Sequence, residues 1–184
     1  MKSSQATQLP AAPARPTILL VDDDEAAQEL SSVYAQHLGY MTNASPSAEA
    51  ALKRMRDDFC PIVITDLNMP GMGGLALCHE LRSRKWPGYV YIIVLTGEDH
   101  EDGLVAALEA GADDYLRKGC QAAEMRARLQ VAERIVTLEQ RLRRNLESKA
   151  REAASDALTG LPNRRALDKQ FNAEFKREIG RAHV

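Results

Sequence analysis

Ile62-Val63-Ile64-Thr65-Asp66-Leu67-Asn68-Met69-Pro70-Gly71 sets a strand-like run, a carboxylate and a turn in direct succession. Four β-branched residues bounded by a Pro-Gly turn read as a buried strand. Charge at the mouth of such a strand is costly unless the charge is used. Three further runs also end in polar groups: 18–21 in Asp22-Asp23-Asp24, 90–95 in Thr96, and Tyr115-Leu116 in Arg117-Lys118. If these four ends share one edge of a sheet, they gather carboxylates, a hydroxyl and an ammonium. That set suits a divalent cation and a phosphoryl group.

Working outward, residues 17–119 alternate between strand-like and helix-like patterns. A strand at 17–21 leads to a helix whose expected apolar face is Ala26, Leu30, Val33, Tyr34 and Leu38, capped by Asp24 and stopped by Gly39. A short strand is expected near 40–43, then Ser45-Pro46 as a cap and first-turn proline. The next helix shows Ala48, Ala51, Leu52 and Met55 on one face. The helix after 62–65 shows Leu77, Cys78 and Leu81. Trp86-Pro87-Gly88 breaks the chain before the strand 90–95. A fourth helix is expected to present Leu104, Leu108 and Gly111, and a fifth strand lies near 114–116. Strands alternating with helices, two of the strands almost wholly apolar, imply an α/β fold: a parallel, doubly wound sheet covered on both faces. Right-handed crossovers put every carboxyl end on one edge, where such folds bind ligands.

The chain has 184 residues, 45% hydrophobic and 27% charged, with net charge −2. This allows one ordinary domain plus additional segments. The longest apolar run, 89–95, is strand length and far short of the ~18 residues a membrane span needs, so no membrane partner is expected. Cys60, Cys78 and Cys120 are odd in number and lack paired-ligand spacing, which points to reduced thiols in a cytoplasmic protein. The near-neutral balance gives no reason to expect nucleic acid. His37, His79, His100 and His183 occupy no recognisable phosphotransfer or metal context.

Residues 1–16, with three prolines and hardly any large apolar side chains, read as a flexible leader. Residues 121–155 contain neither Pro nor Gly and read as one helix, a stalk. Val131, Ile135, Leu138 and Leu142 recur at heptad spacing, continued more weakly by Asn145 and Lys149. The helix either docks on its own domain or pairs with a second copy, and the heptad favours a homodimer. Its eight basic against five acidic residues over 121–152 suit a solvated face rather than a nucleic-acid stripe. Residues 156–184, too few for a core of their own, look like the opening of a further domain.

Taken singly, each site residue has an ordinary reading: a loop cap for Asp66, a solvated turn for Asp22 and Asp23, a strand-end hydroxyl for Thr96, a solvated lysine for Lys118, sheet packing for Tyr115. Their joint order along the chain is what carries weight. Residues 17–119 resemble the receiver domain of bacterial two-component response regulators. Val21-Asp22-Asp23-Asp24 is similar to that family's acidic pocket, and Asp66-Leu67-Asn68-Met69-Pro70-Gly71 to its phosphoacceptor turn. Leu95-Thr96-Gly97-Glu98 resembles its switch segment, and Gly111-Ala112-Asp113-Asp114-Tyr115-Leu116-Arg117-Lys118 the run into its lysine.

The resemblance implies a flavodoxin-like sheet of strand order 2-1-3-4-5 over residues 17–120, with a long C-terminal helical extension. It implies that Asp66 accepts phosphate from a sensor histidine kinase or phosphotransfer protein. Mg²⁺ would be held by Asp23, Asp66 and the backbone carbonyl of Asn68, with Asp22 acting through a metal-bound water. Thr96 and Lys118 would grip the phosphoryl group and Tyr115 would swing inward. Asn68 and Glu98 stand where the family sets phosphate lifetime. Two positions depart from the pattern: Gly119 follows Lys118 where Pro is usual, and Met72-Gly73-Gly74 lacks the common central Asp.

Asp156-Ala157-Leu158-Thr159-Gly160-Leu161-Pro162-Asn163-Arg164-Arg165 resembles the entry motif of GGDEF-type diguanylate cyclases. That resemblance implies a receiver controlling cyclic di-GMP synthesis through a dimerising stalk. Residues 156–184 would be the start of a truncated cyclase domain whose catalytic residues lie downstream. The alternative is a non-catalytic receiver-and-helix interaction module.

Overall fold

The computed structural model describes residues 15–97 and 101–154. Strands β1 (Ile18–Val21), β2 (Thr42–Ser45), β3 (Ile62–Asp66), β4 (Tyr91–Thr96) and β5 (Asp114–Arg117) form one parallel sheet in the order β2-β1-β3-β4-β5. Between and after them come α1 (Glu25–His37), α2 (Ala48–Asp57), α3 (Gly74–Ser83), α4 (Glu101–Glu109) and α5 (Ala122–Ala154). This is the doubly wound parallel sheet expected from the alternation, in the flavodoxin-like strand order that the resemblance implies. Ile62, Val63, Ile64, Ile92, Ile93 and Val94 are wholly or almost wholly buried, as continuous apolar strands in a covered parallel sheet must be.

The two faces of the sheet are covered unequally. On one, α2, α3, α4 and the turn after α4 contribute Ala48, Ala51, Leu52, Met55, Leu77, Cys78, Leu81, Ala107 and Ala110. The faces expected of α2 and α3 are the buried ones. On the other, α1 contributes Ala35 alone, while α5 supplies Met125, Leu129, Ala132 and Val136. Burying a Met, a Leu and a Val contributes roughly 1.5–3 kcal/mol each. The first half of the 121–155 segment is therefore core, and the first compact unit runs to Thr137. The second unit begins at Leu138, and its described residues are the remainder of α5.

Several local expectations are corrected. In α1, Leu30 is 53% exposed, Val33 56% and Tyr34 37%, and the small Ala35 faces the sheet. The bulk of α5 leaves room there for little else. In α4 the buried residue is Ala107, followed just past the helix by Ala110, whereas Leu108 is 47% exposed. The apolar residues of α4, Leu104 to Leu108, are consecutive, so periodicity could not single out the inner face. Strand β2 lies two residues later than expected, with Ser45 paired to Val21, and the α2 cap is Ser47, whose hydroxyl accepts from Ala50 N. The Asp24 cap is as read, accepting from Ala26 N and Ala27 N. Of the expected seam on α5, Val131 and Ile135 are partly buried against the core. Leu138, Leu142 and Leu146, the last not singled out from sequence, are exposed at spacings of four.

Candidate functional site

Strand order decides which chain ends meet. With β3 central, its terminal Asp66 has the end of β1 on one side and the end of β4 on the other. Val21 is in register with Thr65, so Asp22 emerges beside Asp66, and Asp66 is in register with Leu95, the residue before Thr96. Thr96 pairs with Arg117, and Lys118 N donates to Thr96 O at 2.8 Å, carrying the ladder one step further.

The side chains converge accordingly. Carboxylate oxygens of Asp22, Asp23 and Asp66 lie within 4.8 Å of one another. Asp22 and Asp66 are 3% and 4% exposed, while Asp23 is open to solvent. Lys118 Nζ stands 2.8 Å from Asp66 Oδ2 and 3.0 Å from Asp22 Oδ2. Burial works to lower the Lys118 pKa, but hydrogen bonding and charge from Asp66 and Asp22 outweigh it and hold the ammonium above the ordinary lysine value. Thr96 is buried at the end of β4, and Asn68 is exposed in the turn after β3. Glu98 lies outside the described residues.

Asp22 Oδ1 accepts from Asp24 N at 3.0 Å, and among the described residues the buried Oδ2 is met only by the Lys118 ammonium, 3.0 Å away. Three carboxylates against one ammonium leave a net negative, all-oxygen cluster with an unsatisfied lone pair. That donor set fits a hard divalent cation such as Mg²⁺.

The backbone around the site is tight. A Cβ on Gly74 would lie 2.2 Å from the carbonyl oxygen of Asp66, so only glycine lets α3 start this close to the acid. Gly74 N donates to Leu67 O at 3.0 Å, closing the turn. Gly119 sits at φ 77°, a conformation that proline, fixed near −65°, does not adopt. A hydrogen bond from Cys120 N to Arg117 O at 3.0 Å closes the turn around Lys118 and Gly119.

Tyr115 is half-buried, its ring 5.8 Å from the guanidinium of Arg128 on α5. That guanidinium also pairs with Asp114 at 3.1 Å, and Asp114 Oδ1 accepts from Tyr115 N. Sequence reading missed Arg128, because its partners are distant in the chain and only folding reveals them. It also missed the groove beside Lys118, lined by Leu30, Tyr34, Leu95, Cys120 and Met125. Leu30 and Tyr34, which point outward from α1, form one wall of it.

Residues 18–130 match the family model described as the response regulator receiver domain. The chain is 37% identical over 120 residues to the response regulator MprA of Mycolicibacterium vanbaalenii, covering 65% of this chain and 51% of that protein. It is 36% identical over 114 residues to the two-component response regulator PhoP of Pseudomonas aeruginosa, covering 61% and 49%. The DNA-binding response regulator MtrA of Mycolicibacterium smegmatis is 33% identical over 136 residues, covering 74% and 54%. The chain thus spans about half the length of these curated relatives. Among solved structures, a response regulator receiver protein from Pseudomonas putida superposes with a TM-score of 0.59 at 27% identity, covering 66% of this chain and all of that one.

Proposed function

From a chain that belongs to the response regulator receiver family, we propose a phosphorylation switch in which Asp66 is the acceptor. Receiver domains take phosphate from histidine kinases or phosphotransfer proteins and generally bind Mg²⁺ at their acidic pocket. The observation that supports the assignment is a buried Asp66 carboxylate, 2.8 Å from the Lys118 ammonium and grouped with two further acids. An Asp66 oxygen bonds to phosphorus while the donor's P–N bond breaks, its electron pair leaving on the imidazole nitrogen. Asp23, Asp66 and the Asn68 carbonyl would hold the cation, with Asp22 beside them. When present, the cation offsets the charge of the incoming phosphoryl oxygens. Lys118 and the Thr96 hydroxyl then hold those oxygens, and the Tyr115 ring follows Thr96 inward, leaving Arg128. The exposed Leu30 and Tyr34, which line the groove beside Lys118, provide apolar area for the phosphodonor protein. With Mg²⁺ and acetyl phosphate, wild-type protein should be labelled and Asp66→Asn should not. Equal labelling of both would exclude the assigned acceptor.

For the output we propose control of a diguanylate cyclase domain by pairing of two α5 helices. Support comes from the motif Asp156 to Arg165, which lies outside the described residues, and from the exposed Leu138, Leu142 and Leu146. The competing output is transcriptional, favoured by a relative whose name specifies DNA binding. That match covers 54% of the relative, and a receiver is compatible with either output. A reading frame continuing past codon 184 into a GGDEF sequence supports the cyclase, and one continuing into a helix-turn-helix region removes it.

A further inference from the structure

We propose that Gln28 is a positioning residue for the acidic cluster, fixing the main chain at Asp22 so that cation binding is preorganised. The inference rests on the reading of Asp22, Asp23 and Asp66 as a Mg²⁺ site.

The ladder between β1 and β2 ends at Val21 and Ser45. One step further, Asp22 N reaches Ser45 O only at 3.4 Å. Sheet pairing therefore weakens just where the acids begin. Gln28 takes over at that point. Its Nε2 donates to the carbonyl of Ser45 at 2.8 Å and also to the carbonyl of Asp22. A side-chain amide has two N–H donors, so one residue can clamp the ends of both strands. The reach follows from helix geometry: side chains lean toward the helix N-terminus, and Gln28 is one turn into α1, with its own N–H donating to Asp24 O at 3.0 Å.

The clamp matters because of what it opposes. Like charges this close repel, and the 22–23 backbone can relieve the strain by turning a carboxylate outward. Asp23, exposed at the end of the strand, is the acid with most freedom to leave. With the Asp22 carbonyl tied by Gln28 and Asp22 Oδ1 tied to Asp24 N, the peptide carrying Asp23 is fixed at one end, and the carboxylates stay together before a cation arrives. Outer partners of metal ligands commonly change metal affinity by roughly 10–100-fold when removed.

The test uses the full chain and Mg²⁺ alone, by titration calorimetry and by melting with and without the ion. Gln28→Met keeps length and bulk but has no donor. It should weaken Mg²⁺ binding about tenfold or more and shrink the Mg²⁺-induced rise in Tm. Gln28→Asn, which keeps the amide but withdraws it by one methylene, should fall between Met and wild type, and it carries the test if the Met variant does not fold. A purely structural clamp would lower Tm equally with and without Mg²⁺ and leave Kd within about twofold of wild type, overturning the inference while sparing the assigned site. Wild-type protein that binds no Mg²⁺ would overturn both.

Discussion

Asp23 stands out among the acids because it is exposed and no donor among the described residues pairs with it, so its charge acts mainly as repulsion until a cation arrives. Asp23→Asn should raise the Tm of metal-free protein by about 1–3 °C and abolish most of the Mg²⁺-induced rise, read by calorimetry. A second expectation concerns alkali. Burial pushes the Cys78 thiol from 9.0 up to about 11. Burial, then Asp113, pushes Tyr89 from 10.0 up to about 12, and burial, then Asp114, does the same to Tyr91. All three are neutral acids whose folded pKa exceeds the unfolded one, so their contribution is complete below pH 9. Above it the unfolded chain loses protons first, and stability falls between about pH 9 and 12. Urea midpoints at pH 8, 10 and 11.5 should decline steadily, and Cys78→Ala should flatten the earliest part.

Among the elements, the start of α3 is the least tolerant of change. Gly74→Ala must move the helix away from the Asp66 carbonyl, and the cost should be about 1–3 kcal/mol, measured by denaturant unfolding, with slower labelling of Asp66. How far such features were legible in the sequence depends on where the determining contacts lie. Asp22, Asp66, Thr96 and Lys118 could be read because a polar residue ending an apolar strand is a local signal, and parallel topology gathers those ends. The inner face of α1 could not be read that way. Periodicity locates a stripe, but which stripe is covered depends on Met125 and Leu129, about ninety residues downstream of Ala35 in the chain. Gln28 was silent for the same reason, since its partner carbonyls belong to no motif.

At the scale of the whole molecule, α5 serves two different surroundings. Its Met125, Leu129, Ala132 and Val136 are buried in the receiver core, whereas Leu138, Leu142 and Leu146 are exposed. If the exposed leucines pair two copies, sedimentation should show a monomer–dimer equilibrium, and Leu138→Lys with Leu142→Lys should shift it to monomer without lowering the receiver's Tm. Equal association of the double variant would exclude this seam. The sole indole, Trp86, precedes β4, stacks on Phe59 and donates to Leu81 O, while every candidate ligand for phosphate or cation sits past the strands' other ends. Intrinsic emission at that position reports loss of the native core under denaturant, and optical titrations of the acid pocket require a dye placed near it.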